Sequence, residues 1–319
     1  MPDTLRHATL RQLQIFLVAA EHGSFVRAAQ VLHLTQPAVS MQMSQLAESV
    51  GIPLFEKRGR NLVLTQAGRT LLPHVERVAQ TLREAGEAID ALQGLHHGTL
   101  KIALVTTTRY FMPRLIAQFR AQHPQIELDV SIDPRDSVIA QLENNHVDLA
   151  IMGRPPTHMP VVAEAFAAHP HGVIAAPDHA LAGKKRVAPG RIADQPFLAR
   201  ESGSGTRHAM EQYFGEHRLN PPLVHEMTSN ESIKQAVMAG MGLAFISLHT
   251  VLLEHQTGNL VLLDLQGLPV VRNWYVLHRA SRRLSPAAAA FKQFLHAEAP
   301  AYMAKLLPGQ RPRTKVAAR

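Results

Sequence analysis

Apolar residues recur every three to four positions across residues 10–20, which predicts an amphipathic helix ending at the polar stretch EHGS. Ser24 stands where an N-cap belongs, ahead of a helix over residues 25–33. Leu34, Thr35 and Gln36 make a tight turn, and a further helix covers residues 37–49 until Gly51 and Pro53 stop it. Pro37 suits its first turn, whose N–H groups have no intrahelical partner. On a helical wheel Val39, Met43, Leu46 and Val50 share a narrow face, with Pro37, Ser40, Met41 and Ser44 opposite. The segments PLFEK and NLVLT, joined by RGR, read as two short strands around a glycine turn. Thr65 caps a long helix over residues 66–95, in which Leu71, Val75, Val78, Leu82, Ala85, Ile89 and Leu92 alternate spacings of four and three. That a/d seam predicts pairing with a second long helix; a face packed on its own domain is the alternative. Pro73 kinks this helix or marks its effective start.

After GLHHG the pattern changes to alternating strands and helices. Strands are expected at residues 100–105, 126–132, 147–152, 162–166, 172–176, 197–200, 243–247 and 274–278. Helices are expected at 109–122, 137–144, 206–218, 232–240 and 286–297. This alternation argues for an α/β architecture with mostly parallel sheet, and its length suits two lobes around a cleft. The expected fold is therefore mixed: an all-α winged helix-turn-helix over residues 1–65, a linker and dimerisation helix over 66–95, a two-lobed α/β domain of periplasmic-binding-protein type over 96–300, and a basic tail over 301–319.

The net charge of +8 changes this picture little, because much of the excess lies in the tail AKLLPGQRPRTKVAAR. The local cluster Lys57, Arg58 and Arg60 in the hairpin carries more weight. The chain has no cysteine, which excludes disulfides and thiolate metal sites. No run approaches the ~18 apolar residues of a membrane span, and no signal peptide is read, so the cytoplasm is the expected compartment.

Candidate chemistry follows from these placements. A helix opening on Thr35, Gln36, Pro37 and Ala38 with little bulk has the form of a recognition helix, whose first residues meet base edges in the major groove. Gln reads adenine with two hydrogen bonds, and small residues admit the thymine methyl. Lys57, Arg58 and Arg60 would neutralise phosphates or enter the minor groove. In the α/β part, Thr106, Thr107 and Thr108 follow the first strand, and Ser202, Gly203, Ser204, Gly205 and Thr206 link a strand to a helix; both loops offer N–H groups and hydroxyls to an anion. Arg135 and Arg154 end successive strands, where α/β ligands sit, and Asn230 caps a helix, contacts a ligand, or both. AGMGLAF follows a helix and precedes a strand, the reverse of a dinucleotide fingerprint. No phosphate-binding Gly-Lys-Ser/Thr loop, His-Glu-x-x-His or nucleophile elbow occurs, so no catalytic residue, metal ligand or cofactor is assigned. The rival reading is a solute-binding module whose N-terminal helices serve a protein partner.

The run LRQLQIFLVAAEHGSFVRAAQVLHLTQPAVSMQMSQLAESVGIPLFEKRGRNLVLTQAGR resembles the winged helix-turn-helix of LysR-type transcriptional regulators, and the resemblance extends over nearly the whole chain. It implies double-stranded DNA with an interrupted palindrome as partner, a homodimer or homotetramer, a small-molecule effector, and RNA polymerase as a further contact. By position it implies groove-facing roles for Gln36, Pro37, Ala38, Ser40 and Met41, and a wing cation at Lys57; Arg27 and Thr35 complete the candidate DNA-binding set. Met41 departs from the family's more usual Arg, and so does Lys57, which weakens a planar minor-groove contact. IMGRPP, ESGSGTR, SNESIKQAVMAGMGLAFISLHTV and RLSPAAAAF resemble the CbbR-type branch, regulators of Calvin-cycle carbon-fixation operons. That branch implies phosphorylated sugars, other phosphorylated carbon intermediates or NADPH as regulatory ligands.

Overall fold

The computed structural model describes residue 5 and residues 7–58, 61–92 and 98–307; side chains at 83, 84, 87, 88 and 90–92 lie outside that description. The chain forms two compact units, residues 1–93 and 94–319.

In the first unit, local signals set each element. α1 (Leu10–His22) starts with a reciprocal capping box between Thr9 and Gln12 and ends at Gly23, whose left-handed φ of 58° closes the helix. Ser24 caps α2 (Phe25–Val31), two residues shorter than expected. Thr35 accepts from the Ala38 N–H and caps α3 (Gln36–Val50), so Gln36 opens the helix instead of belonging to the turn. Val39, Met43 and Leu46 are buried with Ile15, Phe16, Ala19, Ala28 and Ala29 in one core. β1 (Phe55–Arg58) and β2 (Asn61–Leu64) form an antiparallel hairpin. α4 (Gln66–Leu92) begins seven residues ahead of Pro73, which sits inside the helix and does not mark its start. The apolar seam divides: Val75 is buried, Leu71 packs on the same core, and Val78, Leu82 and Ile89 stay exposed. The expected end of this helix at Leu95, and the paired histidines His96 and His97, lie outside the described residues.

The second unit is built on a nine-stranded mixed sheet. Its first half carries β3 (Gly98–Val105), β4 (Ile126–Asp133) and β5 (Leu149–Met152), all parallel. Its second half carries β7 (Phe197–Arg200), β8 (Leu223–Met227) and β9 (Leu243–Ser247), again parallel, with the two-residue β10 (Val261–Leu262) beside β6. β6 (Val161–Ala175) and β11 (Val270–Arg279) run antiparallel through both halves and join them. α5 (Met112–Gln122) and α10 (Pro286–Ala304) cover one face of the first half with Phe119, Phe291 and Trp274 between them, and α6 (Arg135–Glu143) covers the other. In the second half α7 (Gly205–Glu216) and α8 (Asn230–Met238) take opposite faces, with the short α9 (Leu252–Gln256) beyond.

Two expectations are corrected here. The strands at 162–166 and 172–176 are one strand, β6, that runs through Pro170. Up to Pro170 β6 pairs with β11 alone, and β9 joins it only from His171, so this stretch has an unpaired side of the kind where a strand tolerates proline. The expected helix from Arg109 is instead a 3₁₀ turn over Thr106–Tyr110 followed by α5. β8 was not anticipated, because its segment LVHEM lacks a buried face and remains mostly exposed at the sheet edge.

Candidate functional site

On the first unit, α3 presents Thr35, Gln36, Pro37, Met41 and Ser44 to solvent, with Ala38 and Ser40 half-buried. Gln36 Nε2 donates to Ser40 Oγ at 2.8 Å, which leaves the Gln36 carbonyl oxygen free to accept. Arg27 is exposed on α2. In the hairpin Lys57 is exposed and forms no ion pair among the described residues, whereas Arg58 bridges to Glu56 at 3.1 Å. Arg60 lies outside the described residues.

On the second unit, a cleft opens where β3, β5 and β7 end, and β6 and β11 form its floor. Of the residues singled out in the sequence, it gathers Thr106, Thr107, Arg135, Arg154, Ser204, Gly205 and Thr206. Thr108, Ser202, Gly203 and Asn230 do not line it. Thr108 turns inward and donates to the Val105 carbonyl at 2.8 Å. Ser202 and Gly203 are exposed, and Gly203 holds the left-handed turn, φ 85°, that brings Ser204 to the N-cap of α7. Asn230 acts one layer back: its Oδ1 accepts from Arg200 Nη1 at 2.6 Å and its Nδ2 donates to Thr107 Oγ1 at 3.3 Å.

The cleft also holds residues that pattern reading missed: His169, His171, Arg200, Glu201, Arg272 and Trp274. Most lie within strands and reach the cleft only because β6 and β11 cross beneath it. One signal was available, an Arg at the end of the apolar run FLAR, because a buried guanidinium requires partners. Every guanidinium nitrogen of Arg200 has a hydrogen-bond partner, and its fork meets both Glu201 oxygens at 2.6 and 2.7 Å.

Three further guanidiniums share the space with little compensation. Arg272 donates to the Gly205 carbonyl at 3.4 Å, and Arg135 to the Arg154 carbonyl at 3.3 Å. Among the described residues neither Arg154 nor Arg272 forms an ion pair; Arg135 has only Asp136 at 3.8 Å, whose carboxylate is largely in solvent. Burial lowers the pKa of Arg135 and of Arg272, and the charge of Arg154 adds to both shifts. His208 is lowered by burial, then by Arg154 and Arg272. Such mutual repulsion is relieved by an anion placed among the three.

Beside Arg272, the histidines of the floor are neutral. His169 stacks on Trp274 with ring centroids 3.8 Å apart, and its Nε2 meets Ser247 Oγ at 2.9 Å. His171 Nδ1 donates to the His169 carbonyl at 3.1 Å, which fixes its tautomer. Burial pushes His171 down to about 3 and His249 to about 4, and it holds His169 well below the usual range. β11 carries a bulge between Trp274 and Tyr275, which oppose Ala167 and Ala165, so the two crossing strands bend beside the cleft.

A winged helix-turn-helix joined to a two-lobed unit with a cationic cleft defines a class, the ligand-responsive transcriptional regulators. The family comparisons agree with it in both units. Residues 10–69 match the bacterial regulatory helix-turn-helix protein model of the lysR family, and residues 93–300 match the LysR substrate binding domain. The chain is 47% identical over 293 residues to a RuBisCO operon transcriptional regulator of Allochromatium vinosum, covering 92% of this chain and 97% of that one. It is 44% identical over 315 residues to the HTH-type transcriptional regulator CfxR of Cupriavidus necator, covering 98% and 99%. Among solved structures, the regulatory domain of Synechocystis CcmR in complex with 2-PG aligns at TM-score 0.61 and 36% identity, over 63% of this chain and 97% of that domain. A full-length OxyR variant from Pseudomonas aeruginosa shares the fold at TM-score 0.71 and 21% identity, over 91% and 98% of the two chains. The chain belongs to the LysR family of bacterial transcriptional regulators. The relatives it matches are named as transcriptional regulators, not enzymes. Among the described residues no helix is long and apolar enough to cross a membrane.

Proposed function

We propose that this regulator controls a carbon-fixation operon and that a small phosphorylated metabolite, bound in the cleft of the second unit, sets its state on DNA. The observation that carries the effector half is the trio Arg135, Arg154 and Arg272, three guanidiniums converging with almost no internal counter-charge. A phosphoryl group would take their hydrogen bonds, with the N-terminus of α7 and Thr206 beside it. The target operon is supported by the named relatives and the 2-PG complex of CcmR.

For the DNA half, α3 lies in the major groove with Gln36, Pro37, Ala38, Ser40 and Met41 at base edges, and Thr35 and Arg27 flank it at the backbone. Lys57, Arg58 and Arg60 meet phosphates or the minor groove. Two protomers pair through the exposed face of α4 and four assemble on an interrupted palindrome in the cytoplasm, in contact with RNA polymerase. The effector acts by favouring one degree of cleft closure: β6 and β11 bend, and the population of assemblies shifts with them.

The test is fluorescence anisotropy at near-physiological salt on an interrupted-palindrome duplex from upstream of a carbon-fixation operon, against a scrambled duplex. Selective binding that shifts with 2-phosphoglycolate is the expected result. Equal affinity for both duplexes would remove the DNA assignment. Selective binding unmoved by phosphorylated ligands would remove the effector assignment. Lys57→Ala should weaken both complexes alike and lower the salt slope by roughly one.

A further inference from the structure

Glu201 is the one acidic residue among those lining a cleft that also holds Arg135, Arg154, Arg200 and Arg272. It does not serve the three converging guanidiniums. It forks instead onto Arg200, at 2.6 and 2.7 Å. The two partners are held very differently. Arg200 has a side chain only 3% exposed and is fixed from behind by Asn230 at 2.6 Å, with Thr106 Oγ1 at 3.4 Å. Glu201 is 23% exposed, stands just past the end of β7, and among the described residues its side chain accepts hydrogen bonds from Arg200 alone. Neighbouring residues on an extended strand point to opposite faces. Glu201, beyond the strand end, therefore reaches back onto Arg200 from a partly exposed position.

A planar carboxylate from a ligand matches the Arg200 fork as Glu201 does. We propose that Arg200, with Thr106 and Asn230, is a carboxylate subsite that Glu201 fills and yields to a carboxylate of the effector. This rests on the cleft being the effector site and narrows the ligand class to phosphorylated carboxylic acids. The phosphoryl group goes to Arg135, Arg154 and Arg272, and the carboxylate goes to Arg200. A phosphorylated compound without a carboxylate leaves Glu201 in place. Exchange of one carboxylate for another keeps the buried guanidinium paired throughout, so no step strands a charge. Glu201 thus acts as a specificity-determining residue by competition.

The test is calorimetric titration of the full chain with 2-phosphoglycolate and with ethyl phosphate, which carries a phosphoryl group and no carboxylate. Glu201→Gln should tighten 2-phosphoglycolate by up to about five-fold beyond any change for ethyl phosphate, the scale of one partly exposed ion pair. Equal shifts for both probes would reduce Glu201 to a background charge and overturn the proposal, as would no shift at all. A crystal structure of the unaltered chain with 2-phosphoglycolate gives a second reading. The ligand carboxylate on Arg200 with Glu201 turned outward supports the exchange, and Glu201 still on Arg200 overturns it while leaving the effector site intact. If neither probe binds either protein, the effector reading falls and takes this one with it.

Discussion

Gly153 shows how closely the cleft floor is fitted. A Cβ there would stand 2.7 Å from His169 Nδ1, and that ring has no room to withdraw because it stacks on Trp274 and meets Ser247. Gly153→Ala should cost roughly 1–3 kcal/mol of stability through overpacking. The check is denaturant unfolding followed by Trp274 fluorescence; it is the chain's single tryptophan and reports on the second unit alone. The buried histidines give a pH dependence. His171 and His249, at about 3 and about 4 when folded, and His169, also depressed, stay neutral where the unfolded chain takes up protons. Stability is complete above the ordinary histidine pKa near 6.5 and falls as pH drops below it, by about 1.4 kcal/mol per pH unit for each histidine. His171→Asn should flatten that slope between pH 6 and 4 in thermal melts. Residues such as Arg135, Arg154 and Ser204 were legible because strand ends and N-caps announce themselves locally. His169, His171, Arg200 and Arg272 were not, because each matters through what lies across the sheet from it.

Among elements, the hairpin and the start of α4 depend on one close approach. A Cβ on Gly68 would lie 2.2 Å from the Leu54 carbonyl oxygen, which accepts from the Thr65 N–H at 3.0 Å. Gly68→Ala should break that junction, displace β1 and β2, and cost at least about 2 kcal/mol. Hydrogen exchange at the Thr65 and Leu62 amides would register the loss, and unchanged protection would count against it. The helices of the first unit could be read nearly to their ends, since Ser24 caps one and Gly23 and Gly51 stop two others, whereas the caps at Thr9 and Thr35 emerged only with the fold. β6 could not, because Pro170 and Gly172 resemble a break unless the strand is known to run along an edge.

For the whole molecule, the exposed stretch of α4 carries the expectation of assembly. Val78, Leu82 and Ile89 leave apolar side chains in solvent at helical spacing, whereas Leu71 and Val75 are consumed by the core of their own unit. The seam read from the sequence as one feature therefore divides into a buried part and an exposed part, a distinction that only packing reveals. Leu82→Asp combined with Ile89→Asp should convert the protein to monomers in sedimentation experiments and weaken operator binding. A doubly substituted chain that still sediments as the parent would exclude this face as the contact.

The course of β6 and β11 has a further consequence. The chain leaves the first half of the sheet along β6 and returns to it along β11, where Pro170 and His171 pair directly with Val271 and Val270. Everything between those positions is therefore a cassette spliced into an otherwise continuous host, with entry and exit side by side. Domains tolerate insertion where the two ends of the insert lie close together. A short reverse turn could close the host ladder in place of the cassette. One half of the cleft could thus be exchanged between relatives by grafting a single contiguous piece of chain.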